Sequence, residues 1–352
     1  MSIDVIMPKM GMGMSEGKVI RWHAQDNGTV ENGQVILDIE TDKATTEITA
    51  DVDGMLSILV PEGETVPVGT ALGTIEPSEG AVVKTHTSSE SASISETVCA
   101  NGVQLNYQKT GKGQAIIFVH GLSSSMELWT RIDQTQLSGQ TILSYDLRGH
   151  GRSEKVPGPH NLEKHIGDLT SLMKELEIEK AKIVGHSLGA MIAMELALQY
   201  PTKVSSLTLL STTAAFPQET RNTLFEMAAA ASFGGMESIT NQLIDLSFRP
   251  SFCTTEPKIV EAIRRSLLSN DAPSIVYAIR MVAKIDLRQR LASLSCPTQV
   301  LVGSDDILTP LNLATELVAN VIGAQLKELP HCGHAAPVEQ PSLVTKAIIE
   351  FS

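Results

Sequence analysis

The 352-residue chain lacks long hydrophobic runs and contains few cysteines. No stretch approaches the ~18 consecutive apolar residues that a membrane-spanning helix needs, so no membrane span is expected. The segment MSIDVIMPKM lacks the basic start and apolar run of a secretory signal peptide. Four scattered cysteines (Cys99, Cys253, Cys296 and Cys332) are too sparse for a secreted disulfide scaffold. These absences together predict a protein of the reducing cytoplasm.

Basic residues are also fewer than acidic ones: the chain has 27 Lys and Arg, 40 Asp and Glu, and a net charge of −13. Residues 1–76 account for most of this imbalance, because they contain four basic and 13 acidic residues. A chain with this charge is not expected to bind nucleic acid. The concentration of acidic residues in one unit favours attraction to basic surfaces on protein partners.

Residues 77–95, PSEGAVVKTHTSSESASIS, divide the chain into two parts. The segment is rich in Ser and Thr and poor in large apolar residues, which is typical of a flexible linker. An N-terminal domain at 1–76 and a larger C-terminal domain at 96–352 are therefore predicted. The total length is within the usual range for two domains.

The N-terminal domain shows short alternating strand patterns and a faint internal repeat at an offset of 36 residues. Thr29-Val30 recurs as Thr65-Val66, and Ile39-Glu40 recurs as Ile75-Glu76. Asn-Gly, Asp-Gly and Glu-Gly pairs between the strands indicate turns. The pattern predicts a small all-β sandwich of two similar halves, in which ETDKA at 40–44 forms a hairpin tip.

A lysine in a turn is ordinarily a solvated surface charge, but the sequence around Lys43 indicates a modification site. GQVILDIETDKAT and MPKMGMGMSEGKVIRW closely resemble the lipoyl domain of 2-oxo-acid dehydrogenase complexes. The resemblance covers nearly all of residues 2–76 and implies that a lipoate ligase or lipoyl transferase attaches lipoate to Lys43. A biotin-carrying domain has the same fold but places Met on each side of the lysine. Asp42 and Ala44 stand there instead, which favours lipoate.

In the C-terminal domain, apolar β-rich runs alternate with helical patterns, which predicts a parallel sheet covered on both faces by helices. The strand pattern stops between about residues 214 and 292, where helical runs predict a cap over the sheet. VGHSLGAM at 184–191 follows a predicted strand and precedes a predicted helix. That is the context which a G-x-S-x-G nucleophile turn requires.

Further motifs resemble the α/β-hydrolase superfamily over nearly all of residues 96–352. In chain order they are FVHGLSSS, YDLRGHGRS, VGHSLGAM, LVGSDDILTP and LPHCGHAAPVEQP. The resemblance implies a catalytic triad of Ser187, Asp306 and His334. It also implies an oxyanion hole formed by the backbone N–H groups of Leu122 and Leu188.

Two members of this triad have neighbours of the same residue type. The family's G-x-x-D-x-x-x-P spacing favours Asp306 over Asp305, and its Gly-His pair favours His334 over His331. The HCGH sequence could also be part of a zinc site, but no partner cluster is visible, so no metal is expected.

A lipoyl domain followed directly by an α/β-hydrolase domain resembles the dihydrolipoyl acetyltransferase component of bacterial acetoin dehydrogenase systems. The resemblance implies acetyl transfer from S-acetyl-dihydrolipoyl-Lys43 through Ser187 to coenzyme A. The implied partners are a thiamine-diphosphate-dependent acetoin-cleaving component and a flavin-dependent dihydrolipoyl dehydrogenase. The cap residues Arg249, Arg264, Arg265 and Arg280 could meet coenzyme A phosphates, although surface roles are expected because no phosphate-binding motif marks them.

Two departures from ordinary acyltransferase components limit what this resemblance implies. The H-x-x-x-D-G motif of their catalytic domain is missing, and the short linker holds no small helical subunit-binding domain. Large cubic or icosahedral cores therefore cannot be carried over from that wider family. The alternative function is that of a lipoyl-thioester or ester hydrolase, docked to such a complex by its lipoyl domain.

Overall fold

The structure is a computed structural model that divides into two compact units, Met1–Ala92 and Ser93–Ser352. It describes residues 3–7, 16–31, 34–40, 45–50, 52–77, 95–156 and 158–351. Most of the predicted linker therefore lies outside the described residues.

The N-terminal unit is a sandwich of two antiparallel sheets. Its strands are β1 (Ile3–Ile6), β2 (Glu16–Trp22), β3 (Thr29–Val30), β4 (Val35–Glu40), β5 (Thr45–Thr49), β6 (Gly54–Ile58), β7 (Thr65–Pro67) and β8 (Ala71–Pro77). One sheet has the order β1-β8-β6-β3 and the other β5-β4-β2-β7. Apolar side chains such as Val19, Leu56 and Ile75 are buried in its core.

The 36-residue sequence repeat corresponds to a repeat of the two sheets. An offset of 36 residues superposes β2, β3 and β4 on β6, β7 and β8 in the chain numbering. Each of these pairs occupies the same place in the order of its sheet. The predicted sandwich of two similar halves is therefore confirmed.

The antiparallel pair of β4 and β5 brackets the ETDKA sequence. Glu40 at the end of β4 pairs with Thr45 at the start of β5, so the strands run in opposite directions on either side of residues 41–44. Lys43 and its neighbours Asp42 and Ala44 lie outside the described residues. The lipoylation of Lys43 therefore remains a prediction.

An eight-stranded sheet forms the centre of the C-terminal unit. Its strands are β9 (Glu96–Ala100), β10 (Val103–Gly111), β11 (Gln114–Val119), β12 (Gln140–Tyr145), β13 (Ala181–His186), β14 (Val204–Leu210), β15 (Thr298–Gly303) and β16 (Gln325–Leu329). Their order is β16-β15-β14-β13-β11-β12-β10-β9. Strand β10 is antiparallel to both neighbours, and the other neighbouring pairs are parallel.

Helices cover both faces of this sheet. They are α1 (Leu162–Glu175), α2 (Leu188–Gln199), α3 (Gln218–Gly234), α4 (Glu237–Ser247), α5 (Pro250–Thr255), α6 (Pro257–Leu268), α7 (Ala272–Val282), α8 (Leu311–Ala319), α9 (Ala336–Glu339) and α10 (Pro341–Glu350). Ile117 and Val119 of β11 belong to one buried cluster, whereas Ile116 and Phe118 belong to another. Successive side chains of a strand point to opposite faces, so each face has its own core.

Five of these helices, α3 to α7, follow one another between β14 and β15. They occupy the region where the sequence predicts a helical cap. Leu287 N donates a hydrogen bond to Ala214 O at 3.0 Å, which joins the two ends of this insertion. None of the helices in the described ranges has the length and apolar character that a bilayer crossing requires.

A buried ion pair ties the loop after β12 to helix α1. Arg148 Nε donates to Asp168 Oδ2 at 2.6 Å, and Arg148 Nη2 donates to the other carboxylate oxygen. Asn101 Nδ2 donates a further hydrogen bond to Asp168 at 2.9 Å. The ion-paired side chains are only 4% and 2% exposed. Removing either one would leave the other charge buried without its partner.

The variant Asp168→Ala should therefore lose about 3–5 kcal/mol of unfolding free energy, because Arg148 becomes an unpaired buried charge. The double variant Arg148→Met/Asp168→Leu should recover much of this loss. Urea unfolding of the three proteins measures both effects. Equal losses in the single and double variants would contradict the explanation by charge pairing.

Candidate active site

Ser187 occupies the tight turn between β13 and α2. Its φ angle is 52°, a value in the left-handed region that residues other than glycine seldom adopt. Its N–H donates to Leu210 O at 2.9 Å, and its carbonyl accepts hydrogen bonds from the N–H groups of Ala190 and Met191. These bonds hold the strained turn, which is the geometry of a nucleophile elbow.

Two glycines allow the backbone around Ser187 to pack closely. A Cβ at Gly189 would lie 2.1 Å from the carbonyl oxygen of Val119 at the end of β11. A Cβ at Gly185 would lie 2.6 Å from Cα of Ala190. Both distances are far below van der Waals contact, so these positions require glycine. This requirement explains the G-x-S-x-G pattern physically.

Asp306 and His334 are brought together by the loops that follow β15 and β16. Asp306 Oδ2 lies 3.0 Å from His334 Nδ1, and both side chains are buried. Asp305, by contrast, is exposed and accepts a hydrogen bond from the neighbouring Ser304. His331 is also exposed. The structure thus brings together the two residues that the sequence favours and leaves their two neighbours outside the pair.

Hydrogen bonds and the adjacent imidazole keep Asp306 ionised. Burial acts to raise the pKa of Asp306, but His334 and Thr309 outweigh it and lower this pKa from 3.8 to about 2. The Asp306 carboxylate accepts hydrogen bonds from the Thr309 N–H at 2.8 Å, from the Thr309 hydroxyl at 2.7 Å and from the Leu308 N–H at 3.0 Å. A carboxylate beside Nδ1 keeps a proton on that nitrogen and leaves Nε2 free to accept one.

The backbone N–H groups of Leu122 and Leu188 have no hydrogen-bond acceptor within the described part of the chain. Leu188 is the first residue of α2, directly after Ser187. The loop that carries Leu122 lies against the serine turn, because a Cβ at Gly121 would be 3.2 Å from Ser187 Cβ. Two unengaged donors beside a serine have the arrangement that an oxyanion hole requires.

His120 supports the loop that carries Leu122. Its Nδ1 lies 2.8 Å from Gly121 O, and its Nε2 accepts a hydrogen bond from Leu147 N at 2.9 Å. Burial lowers the pKa of His120, so the ring is neutral at pH 7 and donates from Nδ1. The sequence places His120 in a recognisable motif but gives no sign of this bridge to the loop after β12.

Ser187 and His334 both line a cavity of about 490 Å³ under the cap. Its apolar lining residues include Phe216, Leu224, Met227, Leu243, Phe248, Ile263, Leu267, Val282 and Val338. Within the described residues, no hydrogen bond joins Ser187 Oγ to His334. Catalytic hydrogen bonds of this kind are often long until substrate binds.

The HCGH sequence does not assemble a set of metal ligands within the described residues. His331 is exposed, whereas His334 is bound to Asp306. Cys332 is buried, and burial raises the pKa of its thiol to about 12, which disfavours the thiolate that a metal would need. Across the described ranges, no cluster of three or more His, Cys, Asp or Glu could hold a metal ion.

Three of the four cap arginines are engaged within the C-terminal unit. Arg249 Nε donates to buried Glu339 at 2.8 Å. Arg264 and Arg280 bind other residues of the cap helices. Arg265 is exposed. The contact of Arg249 with a fully buried carboxylate serves the packing of the domain.

Glu339 links the loop that carries the candidate base to the cap. Its Oε1 accepts hydrogen bonds from Gly333 N at 3.1 Å and from Arg249 N at 3.2 Å. On the other side of the base, Ala335 N donates to Ser247 O at 2.9 Å. One neighbour of the base is therefore bonded directly to the C-terminal end of α4, and the other is linked through Glu339 to the residue that begins the next segment. No motif in the sequence signalled this connection.

Comparison with known proteins agrees with this two-unit architecture. The family model described as "alpha/beta hydrolase fold" matches residues 114–341, more than half of the chain. The chain belongs to the α/β-hydrolase fold family. A second family model, described as "Biotin-requiring enzyme", matches residues 3–75, so a biotin/lipoyl domain precedes the α/β-hydrolase domain.

Two curated relatives share the name "dihydrolipoyllysine-residue acetyltransferase component of acetoin cleaving system". The relative from Cupriavidus necator is 30% identical over 59% of this chain, and the match spans only 60% of that protein's length. The relative from Pseudomonas putida is 25% identical over 98% of this chain and 97% of its own. Among solved structures, a hydrolase from Pseudomonas aeruginosa PA01 is 26% identical with a TM-score of 0.70, covering 74% of this chain and 98% of that one.

The lowered pKa of Asp306 makes the stability of the α/β-hydrolase domain depend on pH. The stabilisation is fully present above the unfolded pKa near 4 and is lost as pH falls through the folded pKa of about 2. Between pH 5 and pH 2, the native chain should lose about 2 kcal/mol more unfolding free energy than Asp306→Asn. Urea unfolding at each pH measures this difference.

The matched control is Asp305→Asn, because Asp305 is exposed and adjacent in sequence. It should follow the native chain closely across the same pH range. If Asp306→Asn and the native chain lost stability in parallel, the ionised pair would not be a stabilising feature of this domain.

Proposed function

We propose that the chain is an acyltransferase that moves an acetyl group from S-acetyl-dihydrolipoyl-Lys43 to coenzyme A. The observation that carries the proposal is the presence, in one chain, of a biotin/lipoyl domain and a Ser187 site with an acid, a base and two free N–H donors. The names of the relatives from Cupriavidus necator and Pseudomonas putida support the same reaction.

The predicted ETDKA tip fits lipoate because the described strands on either side of it form an antiparallel pair, as a hairpin requires. When attached there, lipoate would supply an acyl thioester on a long arm. The predicted 19-residue linker has a typical span of about 25 Å. Such tethering gives an effective concentration on the order of millimolar, which favours delivery within the same chain.

In the first half of the proposed reaction, Ser187 Oγ attacks the thioester carbonyl while His334 Nε2 takes the hydroxyl proton. Asp306 stabilises the imidazolium, and the N–H groups of Leu122 and Leu188 stabilise the oxyanion. The carbon–sulfur bond then breaks, and His334 returns the proton to the departing sulfur. The acetyl group is left as an ester on Ser187.

In the second half, the thiol of coenzyme A gives its proton to His334 and attacks the ester carbonyl. The bond to Ser187 Oγ breaks, and His334 returns the proton to that oxygen. The proposal includes a thiamine-diphosphate-dependent acetoin-cleaving component that loads the arm and a dihydrolipoyl dehydrogenase that reoxidises it. A lipoate ligase or lipoyl transferase would modify Lys43.

Hydrolysis is the second candidate function, because the same site would release acetate if water reached the Ser187 ester first. The similarity to a hydrolase from Pseudomonas aeruginosa PA01 favours this possibility. The two functions differ only in the acceptor, so the fate of the acetyl group separates them.

With labelled S-acetyl-dihydrolipoamide and saturating coenzyme A, we expect most of the label in acetyl-coenzyme A. Without coenzyme A, intact-mass and peptide analysis should find the acetyl group on Ser187. Ser187→Ala should lower acetyl-coenzyme A formation by on the order of 10³-fold or more, because the nucleophile is lost.

Ser269→Ala is the matched control, since Ser269 is exposed and lies outside the cavity lining. It should retain the native rate. Label found mainly in acetate would favour the hydrolase function. A Ser187→Ala protein with the full transfer rate would rule out the acyl-serine route.

The variant Lys43→Arg should lose acetyl transfer from the loading component because arginine cannot form the lipoyl amide. Hydrolysis of a small activated ester should be unchanged, since that reaction needs only the C-terminal domain. Lys18→Arg, at an exposed position of the same N-terminal domain, is the control and should behave as the native chain. Equal transfer by Lys43→Arg would show that Lys43 is not the carrier.

A further inference from the structure

We infer that the cavity beside Ser187 binds an uncharged aliphatic chain of the substrate, well beyond the acetyl group itself. This inference deepens the proposed function and relies on Ser187 as the reacting residue. It concerns the part of the substrate that occupies the cavity, which neither the fold family nor the names of the relatives identify.

The cavity is too large for an acetyl group. The three heavy atoms of acetyl, at about 30 Å³ for each group of water size, occupy roughly 90 Å³. The cavity measures about 490 Å³, so about four-fifths of it would hold no part of the acyl group. A pocket of this size is in the range that buries a ligand with many heavy atoms.

The walls of the cavity favour a hydrocarbon chain. Met227 on α3, Leu243 on α4 and Leu267 on α6 are at most 9% exposed and contribute apolar side chains. Phe216 and Val282 extend this surface. Each methylene placed against such walls leaves water, which is favourable at about 0.8 kcal/mol.

A charged chain does not fit the same space. The described lining residues with charged side chains, Glu127, Arg131 and Lys258, are all exposed. His186 lies in the lining, but burial lowers its pKa to about 3, so it is neutral at pH 7. A carboxylate carried among the cap side chains, away from His334 and the N–H donors of Leu122 and Leu188, would lack a buried cation, and burying an unpaired charge is strongly unfavourable.

Two parts of a thioester substrate could supply the aliphatic chain. One is an acyl group longer than acetyl, and the other is the hydrocarbon stem of the dihydrolipoyl arm on the sulfur side. Both are hydrocarbon chains, so the apolar walls alone do not show which of the two occupies the cavity. Two series of substrates, each lengthened on one side of the thioester or ester only, distinguish these possibilities.

The first series is p-nitrophenyl acetate, butanoate, hexanoate and octanoate, and the second is the S-acetyl esters of ethanethiol, butanethiol, hexanethiol and octanethiol. The full-length chain should show kcat/KM rising about four-fold for each methylene in at least one series, from about 0.8 kcal/mol per methylene. A rise in the first series assigns the cavity to the acyl group. A rise in the second assigns it to the thiol side. Flat profiles in both would overturn the inference.

Met227→Trp should reduce kcat/KM for the longest responsive substrate by about ten-fold relative to the shortest one, because the larger side chain fills the cavity. Met227→Ala should change kcat/KM for the short substrates less than Met227→Trp changes it for the long ones. It should keep or extend the preference for long substrates. Phe233→Trp, on the same helix but 95% exposed, is the control and should show the native profile. Thermal unfolding confirms that each variant is folded.

A binding measurement tests the inference independently of turnover. The full-length Ser187→Ala protein, titrated calorimetrically, should bind octanamide at least about ten-fold more tightly than suberic acid monoamide, because the carboxylate at the far end of that chain has no buried partner among the cap side chains. Equal affinities, or no binding of either, would overturn the inference.

These results are separable from the fate of the proposed function. A clear chain-length preference with no transfer to coenzyme A would refute the proposed acceptor and support the aliphatic pocket. Efficient acetyl transfer to coenzyme A, with no chain-length preference and no octanamide binding, would support the proposed acceptor and refute the aliphatic pocket.

Discussion

The close contact between the turn after β13 and the end of β11 is the constraint on which the site depends. Gly189 lies so near the Val119 carbonyl that any side chain would collide with it, and Ser187 adopts a positive φ to make the turn. Because β11 and β13 are parallel neighbours, this contact sets Leu122 and Leu188 beside the serine. Backbone packing therefore positions the two N–H donors, independently of the side chains that line the cavity.

Much of this could be predicted from the sequence because the decisive signals were local. The 36-residue repeat is reproduced in the order of the two small sheets, and alternation of strands and helices gave the larger sheet. The fixed spacing after β15 favoured Asp306, which the structure indeed places beside His334. Short-range patterns of this kind reflect backbone geometry that recurs wherever the same turn is built.

The contacts that could not be predicted join residues far apart in the chain. The Thr309 hydroxyl donates a hydrogen bond to Asp306, which is only three residues away in the chain. The same hydroxyl also contacts His334, which is 25 residues away. The Arg249–Glu339 pair spans 90 residues, and neither partner lies in a motif that suggests the other. The volume of the cavity likewise arises from several cap helices packed together. Such features follow from tertiary packing, which no single stretch of sequence encodes.

The hydrogen bonds between the cap and the loop that carries the candidate base limit how the cap can open. Ala335 is bonded directly to Ser247 at the end of α4, and Gly333 is linked through Glu339 to Arg249 just beyond it. A swing of that helix would therefore pull the imidazole of the intervening residue away from its carboxylate. Opening of the cap at α4 would thus disable the proposed proton transfer.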